Sequence, residues 1–173
     1  VIGVGNIGKA VIRRARPFGM KLLGNDIIPI APDFVVENNV EMTSLEDLLA
    51  RADFISLNAD LNSTSRHIIN VRTLALMKPN AVLINTARGP LVDEPALTAA
   101  LQSGKIAGAA LDVFEVEPLP LESPLVKLDN VMLAPHNTNS SPSAWERVHW
   151  NTIRNLLESL GLDPEDLAKF QKA

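Results

Sequence analysis

The 173-residue sequence contains no cysteine, which excludes disulfide bonds, cysteine-ligated zinc and a cysteine nucleophile. It also contains no apolar run close to the roughly 18 residues that a membrane-spanning helix needs. Basic residues are scarce, because 16 Lys and Arg stand against 20 Asp and Glu, whereas a dedicated nucleic-acid binder is usually basic. We therefore expect neither a membrane nor a nucleic-acid partner, and a chain without thiols fits the cytoplasm.

The composition is that of a globular domain. Hydrophobic residues make up 46% of the chain and charged residues 21%, a balance that excludes an intrinsically disordered chain. At about 150 residues per domain, the length corresponds to roughly one domain. The chain begins with Val1-Ile2-Gly3, which resembles the middle of a strand, so we expect an upstream part of the protein to be absent.

Short apolar runs alternate with helical patterns along the chain, which is typical of a parallel sheet covered by helices on both sides. The pattern predicts strands over residues 1–4, 21–24, 54–57, 81–84, 107–113 and 131–134. It predicts helices over 7–18, from 43, after 70, over 93–104 and over 141–160, with a short last helix from 163. Residues 27–42 contain Pro29 and Pro32 and show no period, so this stretch is predicted to be irregular.

A glycine-rich motif, Gly3-Val4-Gly5-Asn6-Ile7-Gly8, joins the first strand to the first helix. It matches the G-x-G-x-x-G pattern, whose glycines allow a tight turn and a close approach of the backbone to a pyrophosphate at the helix N-terminus. Asp26 follows at the end of the second strand, where a carboxylate would accept hydrogen bonds from ribose hydroxyls and repel a 2′-phosphate. The motif therefore predicts NAD as the cofactor. The alternative is a glycine-rich turn without a ligand.

Three charged side chains are predicted just beyond the carboxyl ends of strands, the edge where parallel sheets bind ligands. They are Arg88, Glu117 and His136. A guanidinium can pair bidentately with a carboxylate, and a histidine paired with a carboxylate can exchange a proton near neutral pH. Beside a nicotinamide, these groups would form a site for a 2-hydroxy acid. Each also has a simpler explanation, such as an ion pair of Arg88 with Asp93 in a surface loop.

Four ordered blocks of sequence make the resemblance to one family specific. They are the glycine motif with Asp26, residues 76–93 with Asn85-Thr86-Ala87-Arg88-Gly89-Pro90 at their centre, residues 103–115 and residues 129–136. Over residues 3–161 the chain resembles the NAD-binding domain of the D-isomer-specific 2-hydroxyacid dehydrogenases, most of all members similar to D-3-phosphoglycerate and glycerate dehydrogenases. The resemblance implies a Rossmann-type, doubly wound α/β fold for residues 1–160 and a C-terminal helical tail over 161–173.

The resemblance also implies roles for individual catalytic residues. Arg88 would bind the substrate carboxylate, and His136 would be the acid/base. Glu117 rather than Glu115 would be the partner of His136, because Glu117 is the last acidic residue before the proline.

Further residues are implied on the cofactor side. Thr86 and Ala87 would line the cofactor, Asp112 would contact the nicotinamide carboxamide, and Asn58 would lie in a loop on the adenosine side. No metal site is predicted, and the resemblance implies a homodimer formed through the cofactor domain. Members of the family are about twice as long as this chain, and their substrate domain is built mainly from residues before the glycine motif, so we expect that domain to be largely absent here.

The sequence thus predicts an NAD-dependent oxidoreductase domain that transfers a hydride between NAD(H) and a D-2-hydroxy acid or its 2-oxo acid. One alternative is an NAD-sensing binding protein of the corepressor type, which keeps the same motif residues. The sequence before Val1 would distinguish this alternative from the enzyme. Another is a truncated NAD-binding fragment without activity, which the intact mass of the natural protein would reveal. His67 is predicted to be structural, and His149 is predicted to be partly buried or interfacial rather than catalytic.

Overall fold

Short parallel strands form the centre of the computed structural model, which describes residues 1–138 and 140–163. The strands are β1 (Leu22–Gly24), β2 (Val40–Met42), β3 (Phe54–Leu57), β4 (Val82–Asn85), β5 (Gly108–Leu111) and β6 (Val131–Leu133). β3 to β6 lie side by side in chain order as one parallel sheet, and β1 pairs in parallel with β2.

Ile2 joins the two groups of strands. It forms one parallel bridge with Asn25, just after β1, and another with Leu57 of β3. The strand predicted over residues 1–4 is therefore reduced to this bridging residue. The resulting order is β2-β1-Ile2-β3-β4-β5-β6, and because every pairing is parallel, the carboxyl ends of the strands lie at one edge.

Helices flank the strands, which confirms the predicted α/β fold of the Rossmann type. The helices are α1 (Asn6–Ala15), α2 (Pro32–Asn38), α3 (Leu45–Arg51), α4 (Val71–Leu76), α5 (Glu94–Gln102) and α6 (Pro142–Ser159). Ser44, Asn70 and Asp93 cap the N-termini of α3, α4 and α5 with side-chain oxygens that accept backbone N–H groups. These local caps are the reason that the sequence pattern places the three helix starts correctly.

The prediction that residues 27–42 are irregular is wrong for residues 32–42. Pro32 lies in the first turn of α2, where its missing N–H costs no hydrogen bond, so the proline starts the helix instead of preventing it. Asn39 ends the helix in a left-handed conformation, with φ of 51°, and the chain continues directly into β2. A helix of seven residues is too short to show a clear period in the sequence.

Two buried clusters hold the elements together. In the larger cluster, α3, α4 and α5 pack against the main sheet through residues that include Leu48, Leu57, Leu74, Leu83 and Leu97. The smaller cluster links α1 and α2 to β1 and β2 through Val4, Ile12, Leu22, Phe34 and Val40. Each such buried side chain contributes about 1.5–3 kcal/mol of hydrophobic stabilisation. Ile2, before the glycine motif, belongs to the larger cluster and Ile12, after it, to the smaller one, so both ends of the motif are anchored in packed core.

The chain divides into two compact units, Val1–His136 and Asn137–Ala173. α6 belongs to the second unit and confirms the helix predicted over 141–160; none of its residues that the structure describes is buried. The domain boundary expected at residue 160 stays a prediction. The short helix expected from Asp163 lies outside the described residues. No helix within 1–138 and 140–163 is long and apolar enough to cross a membrane.

Candidate active site

The glycine motif forms a tight loop between Ile2 and α1. Gly3 has a φ of 85°, and a Cβ atom there would lie 2.5 Å from the backbone nitrogen of Ala59. A Cβ atom on Gly8 would lie 2.0 Å from the carbonyl oxygen of Gly3, so α1 approaches the loop this closely only because residue 8 is glycine. A Cβ atom on Gly5 would meet no atom within 4 Å. Gly3 and Gly8 therefore serve packing, whereas the space beside Gly5 is open to a ligand.

The N-terminus of α1 suits an anion. Gly5 is its N-cap residue, and in the described part of the chain no side chain caps this end and no acidic residue lies in the first turn. Asn6 and Ile7, which open the helix, are exposed. The first N–H groups and the positive end of the helix dipole thus face solvent beside an open glycine loop, an arrangement that fits a pyrophosphate.

Asp26 follows β1 and lies against the glycine loop. Its Oδ2 accepts the N–H of Val4 at 2.6 Å, and its Oδ1 accepts the N–H of Ile28 at 2.9 Å. Each carboxylate oxygen can accept a further hydrogen bond, so ribose hydroxyls remain possible partners. Asn58 follows β3 next to the same loop, since its N–H donates to the carbonyl oxygen of Ile2 at 2.8 Å. Asp26 and Asn58, two of the predicted cofactor residues, thus lie beside the glycine loop.

A buried asparagine shapes the loop that carries Arg88 after β4. Asn85, 1% exposed, donates from Nδ2 to the carbonyl oxygen of Arg88 at 2.9 Å and accepts the N–H of Ala87 on Oδ1 at 3.1 Å. Thr86 and Arg88 are exposed, and the buried Asp112 donates its N–H to the carbonyl oxygen of Asn85 at 3.0 Å. Sequence reasoning did not assign Asn85 a role; its place at the end of an apolar strand was the available signal.

Glu117 and His136 form a hydrogen-bonded pair. Nδ1 of His136 lies 2.7 Å from Oε2 of Glu117, and Oε1 of Glu117 accepts the N–H of Phe114 at 2.9 Å. Burial by itself would raise the pKa of the Glu117 carboxyl. The hydrogen bonds from His136 and Phe114 and the charges of His136 and Arg88 outweigh burial and lower this pKa below its ordinary value. Glu117 is therefore ionised at neutral pH, and Nε2 of His136 is available to a ligand.

The pair lines a cavity of about 640 Å³. One wall follows β5 and includes Phe114, Glu117 and Leu119, and the other runs from Leu133 of β6 to His136. His136 adopts a left-handed backbone conformation with φ of 52°. All lining side chains other than Glu117 and His136 are apolar, and the volume is in the range of small-molecule sites.

A second His–Glu pair involves the neighbouring acidic residue. Nε2 of His67 lies 2.5 Å from Oε1 of Glu115, and both side chains are partly buried. Glu115 thus contacts His67, whereas Glu117 contacts His136. The two partners are 48 positions apart, and nothing in the sequence signalled their contact. Within residues 1–138 and 140–163, no group of three or more His, Asp or Glu side chains is placed to hold a metal ion.

The fold and the site define a class of protein. A parallel sheet with flanking helices, a G-x-G-x-x-G loop at an open helix N-terminus and an aspartate after the next strand characterise a dinucleotide-binding domain. Residues 1–138 match the NAD-binding domain of the D-isomer specific 2-hydroxyacid dehydrogenases, and the chain belongs to this family. The predicted family and the predicted cofactor, NAD, are thereby confirmed.

Curated relatives and solved structures agree with this assignment. A glyoxylate reductase from Korarchaeum cryptofilum is 46% identical over 157 residues, which cover 91% of this chain and 47% of that protein. A D-3-phosphoglycerate dehydrogenase from Methanocaldococcus jannaschii is 49% identical over 146 residues, 83% of this chain and 27% of that protein. The crystal structure of a glyoxylate reductase from Paecilomyes thermophila has a TM-score of 0.83 at 41% identity, over 90% of this chain and 46% of that one. The chain spans about half or less of the length of these proteins.

Proposed function

We propose that the protein containing this chain is an NAD-dependent oxidoreductase that interconverts D-2-hydroxy acids and 2-oxo acids. The observation that carries the proposal is the contact of His136 with an ionised Glu117 on the wall of the cavity. A carboxylate at Nδ1 holds a proton on that nitrogen and directs proton exchange to Nε2. The charge of Arg88 acts on the same carboxylate, so a cation for the substrate's carboxylate is close by.

The cofactor would extend along the carboxyl edge of the sheet. The backbone around Gly5 and the first turn of α1 would hold the pyrophosphate, and Asp26 would accept the ribose hydroxyls. The bound dinucleotide supplies or accepts the hydride. The residues proposed to form the cofactor site are Gly3 and Gly8, which shape the loop, and Gly5, Asn6, Ile7, Asp26, Asn58, Thr86, Ala87 and Asp112, which would contact the dinucleotide.

In the reducing direction, Arg88 binds the carboxylate of the 2-oxo acid through its planar guanidinium and places the carbonyl oxygen at Nε2 of His136. His136 donates the Nε2 proton to that oxygen as the carbon is reduced. Glu117 stabilises the imidazolium before the transfer and keeps the ring oriented afterwards. In the oxidising direction, Nε2 takes the proton of the hydroxyl group.

The test measures glyoxylate-dependent oxidation of NADH by the natural protein and by His136→Asn. Asparagine tolerates the left-handed backbone of residue 136, so the change removes the imidazole without a conformational penalty. We expect kcat to fall by about 10²–10⁴-fold. His149→Asn on α6 is the matched control and should retain activity.

Arg88→Ala should mainly raise the KM for the 2-oxo acid, since a carboxylate contact exists in both ground and transition states. An unchanged kcat in His136→Asn, or no turnover of any small 2-oxo acid by a protein that binds NADH, would contradict the proposed reaction. The expectations of a homodimer and of a cytoplasmic location stay predictions. Sedimentation of the purified protein would test the homodimer.

A further inference from the structure

Glu115 ties the segment 114–117, which carries Glu117, to two other parts of the domain. Its Oε1 lies 2.5 Å from Nε2 of His67, and its Oε2 accepts the N–H of Glu94 at 3.4 Å. In return, the N–H of Glu115 donates to Oε2 of Glu94 at 3.1 Å. Both the side chain and the backbone of Glu115 are therefore held, by the first residue of α5 and by a histidine from the loop before α4.

His67 is itself held in one place. Its backbone is left-handed, with φ of 49°, and its N–H donates to the carbonyl oxygen of Pro90 at 2.9 Å. Its own carbonyl oxygen accepts a hydrogen bond from Nδ2 of Asn70 at 2.8 Å. Pro90 follows Arg88 by two residues. His67 thus contacts both the loop that carries Arg88 and the segment 114–117.

The backbone of the Arg88 loop packs against the same segment. A Cβ atom on Gly89 would lie 1.8 Å from the carbonyl oxygen of Phe114, so the two backbones are in direct contact there. The N–H of Phe114 donates to Oε1 of Glu117 at 2.9 Å. That donor belongs to the peptide before Phe114, which is joined through the Cα atom of Phe114 to the peptide that Gly89 and Glu94 hold. A displacement of the peptide between Phe114 and Glu115 would therefore also shift the neighbouring donor that holds the Glu117 carboxylate against His136.

We propose that His67 and Glu115 are a positioning pair that holds the segment 114–117 where the Glu117 carboxylate meets both the Phe114 N–H and the imidazole of His136. Neither member of the pair is among the residues that line the cavity, so the pair acts through Glu117 and not on the substrate. This inference rests on the proposed function, since it assigns the pair to the support of the acid/base histidine.

Two other roles for the pair predict different behaviour of Glu117. If the His67–Glu115 contact only stabilised the fold, its loss would leave the pKa of Glu117 unchanged. A through-space effect of the Glu115 charge would lower that pKa when the charge is removed, because a neighbouring negative charge disfavours ionisation. Loss of positioning would raise the pKa, because burial of the carboxyl remains while its hydrogen bonds from Phe114 and His136 weaken. The sign of the change therefore separates the three roles.

The experiment follows the side-chain carboxyl of Glu117 by carbon-13 NMR as a function of pH, in protein labelled at the glutamate carboxyls. The signal is assigned by its loss in Glu117→Gln. We expect Glu115→Ala to raise the midpoint of the Glu117 titration by roughly one pH unit, the scale on which hydrogen bonds shift a carboxylate. Glu115→Gln keeps an acceptor for His67 and should give a smaller rise. Glu46→Ala, which removes an exposed partner of Arg72, is the matched control and should give none.

A double-variant cycle tests whether the pair acts as a unit. Once Glu115→Ala is present, His67→Asn should cause no further change in the Glu117 titration. A titration midpoint of Glu117 that falls or does not change in folded Glu115→Ala would overturn the inference. If that variant does not fold, the midpoint in Glu115→Gln is used instead: a rise supports the inference, and a fall or no change overturns it. The titration needs neither cofactor nor substrate, so a failure of the proposed reaction, seen as absent 2-oxo acid reduction by the parent, is distinguishable from a failure of the positioning role.

Discussion

Gly5 and Gly8 lie three positions apart, yet an added methyl group would meet opposite surroundings at the two positions. At Gly8 it would lie 2.0 Å from a backbone oxygen, and at Gly5 it would meet no atom within 4 Å. The two glycines thus have different roles: Gly8 allows close packing, whereas Gly5 lies beside the space that we propose for the cofactor.

We expect Gly8→Ala to destabilise the chain by about 1–3 kcal/mol, since the helix must move away from the loop. Gly5→Ala should change the free energy of unfolding by no more than about 0.5 kcal/mol, because its φ of −74° suits alanine and the added methyl meets open space. It should nevertheless weaken NADH binding. Urea unfolding and fluorescence titration with NADH measure the two effects, and equal losses of stability in both variants would contradict this assignment.

Asp26→Asn should narrow the preference for NADH over NADPH. The change keeps a side-chain acceptor for one loop N–H but removes the charge that favours the ribose hydroxyls and repels a 2′-phosphate. We expect the ratio of dissociation constants to shift by roughly tenfold or more, since a hydrogen bond to a charged group is worth about 1.5–3 kcal/mol. Fluorescence titration with both nucleotides gives the ratio. Asp33→Asn on α2 is the control, and an equal shift there would assign the effect to net charge alone.

Glu117 should make stability depend on pH in the acidic range. The pKa of its carboxyl is lower in the folded protein than its ordinary value of 4.5, so ionised Glu117 stabilises the fold above that pH. This stabilisation is lost as the pH falls through the lower, folded-state pKa. Glu117→Gln should therefore have a lower Tm than the parent at neutral pH, with the difference shrinking on acidification. Calorimetry over this range tests it, and a difference that does not change with pH would contradict the pKa direction. The exposed Glu122→Gln serves as the control.

A helix or strand can be predicted from the sequence when the contacts that fix its ends lie close by in the chain. The caps Ser44, Asn70 and Asp93 act within three residues of their own helices, and the sequence pattern identifies those helices. α2 and β2 were missed because a proline at a helix start looks like an interruption when the helix is short. The extended residue Ile2 is held only by its bridges to Asn25 and Leu57. Both partners are distant in the sequence, so a local pattern does not show how short this strand is.

The left-handed residue between α2 and β2 should tolerate glycine but not a β-branched side chain. Asn39 has φ of 51° and an exposed side chain, so Asn39→Gly should be nearly neutral. Asn39→Val should cost about 1–2 kcal/mol, since Cβ branching clashes in this conformation. Equilibrium unfolding in urea compares the two variants directly. Similar stabilities would mean that the turn changes its conformation on substitution.

For the whole molecule, parallel topology explains why distant motifs meet. Arg88, Asp112 and His136 follow different strands, and parallel pairing brings the ends of those strands to one edge. That much of the site follows from the pattern of strands and helices. The contacts of Asn85 lie within three residues of it, and its place at the end of an apolar strand was the only signal for them. The His67–Glu115 contact depends on side-chain placement across loops 48 positions apart, for which the sequence contains no local signal.

The 173-residue chain by itself should bind NADH and reduce 2-oxo acids poorly. Arg88 is exposed and the relatives are about twice as long, so we expect further residues to close over the substrate, exclude water and orient it. Loss of that orientation removes a contribution of up to about 7–11 kcal/mol in favourable cases. Binding and turnover assays on a chain of verified mass test this prediction. A kcat near the enzyme median of about 10 s⁻¹ would contradict it.

The hydrogen bonds that Asp26 accepts from Val4 and Ile28 constrain how cofactor preference can evolve in this domain. A lineage that changes toward a 2′-phosphorylated dinucleotide must lose the carboxylate, but the same mutation removes the acceptor of the Val4 N–H in the loop that we propose holds the pyrophosphate. The intermediate then binds the unphosphorylated dinucleotide less tightly and has a less ordered loop until a second mutation supplies a new acceptor. Selection for an ordered loop therefore preserves the original preference even in a population where the two cofactors are equally abundant.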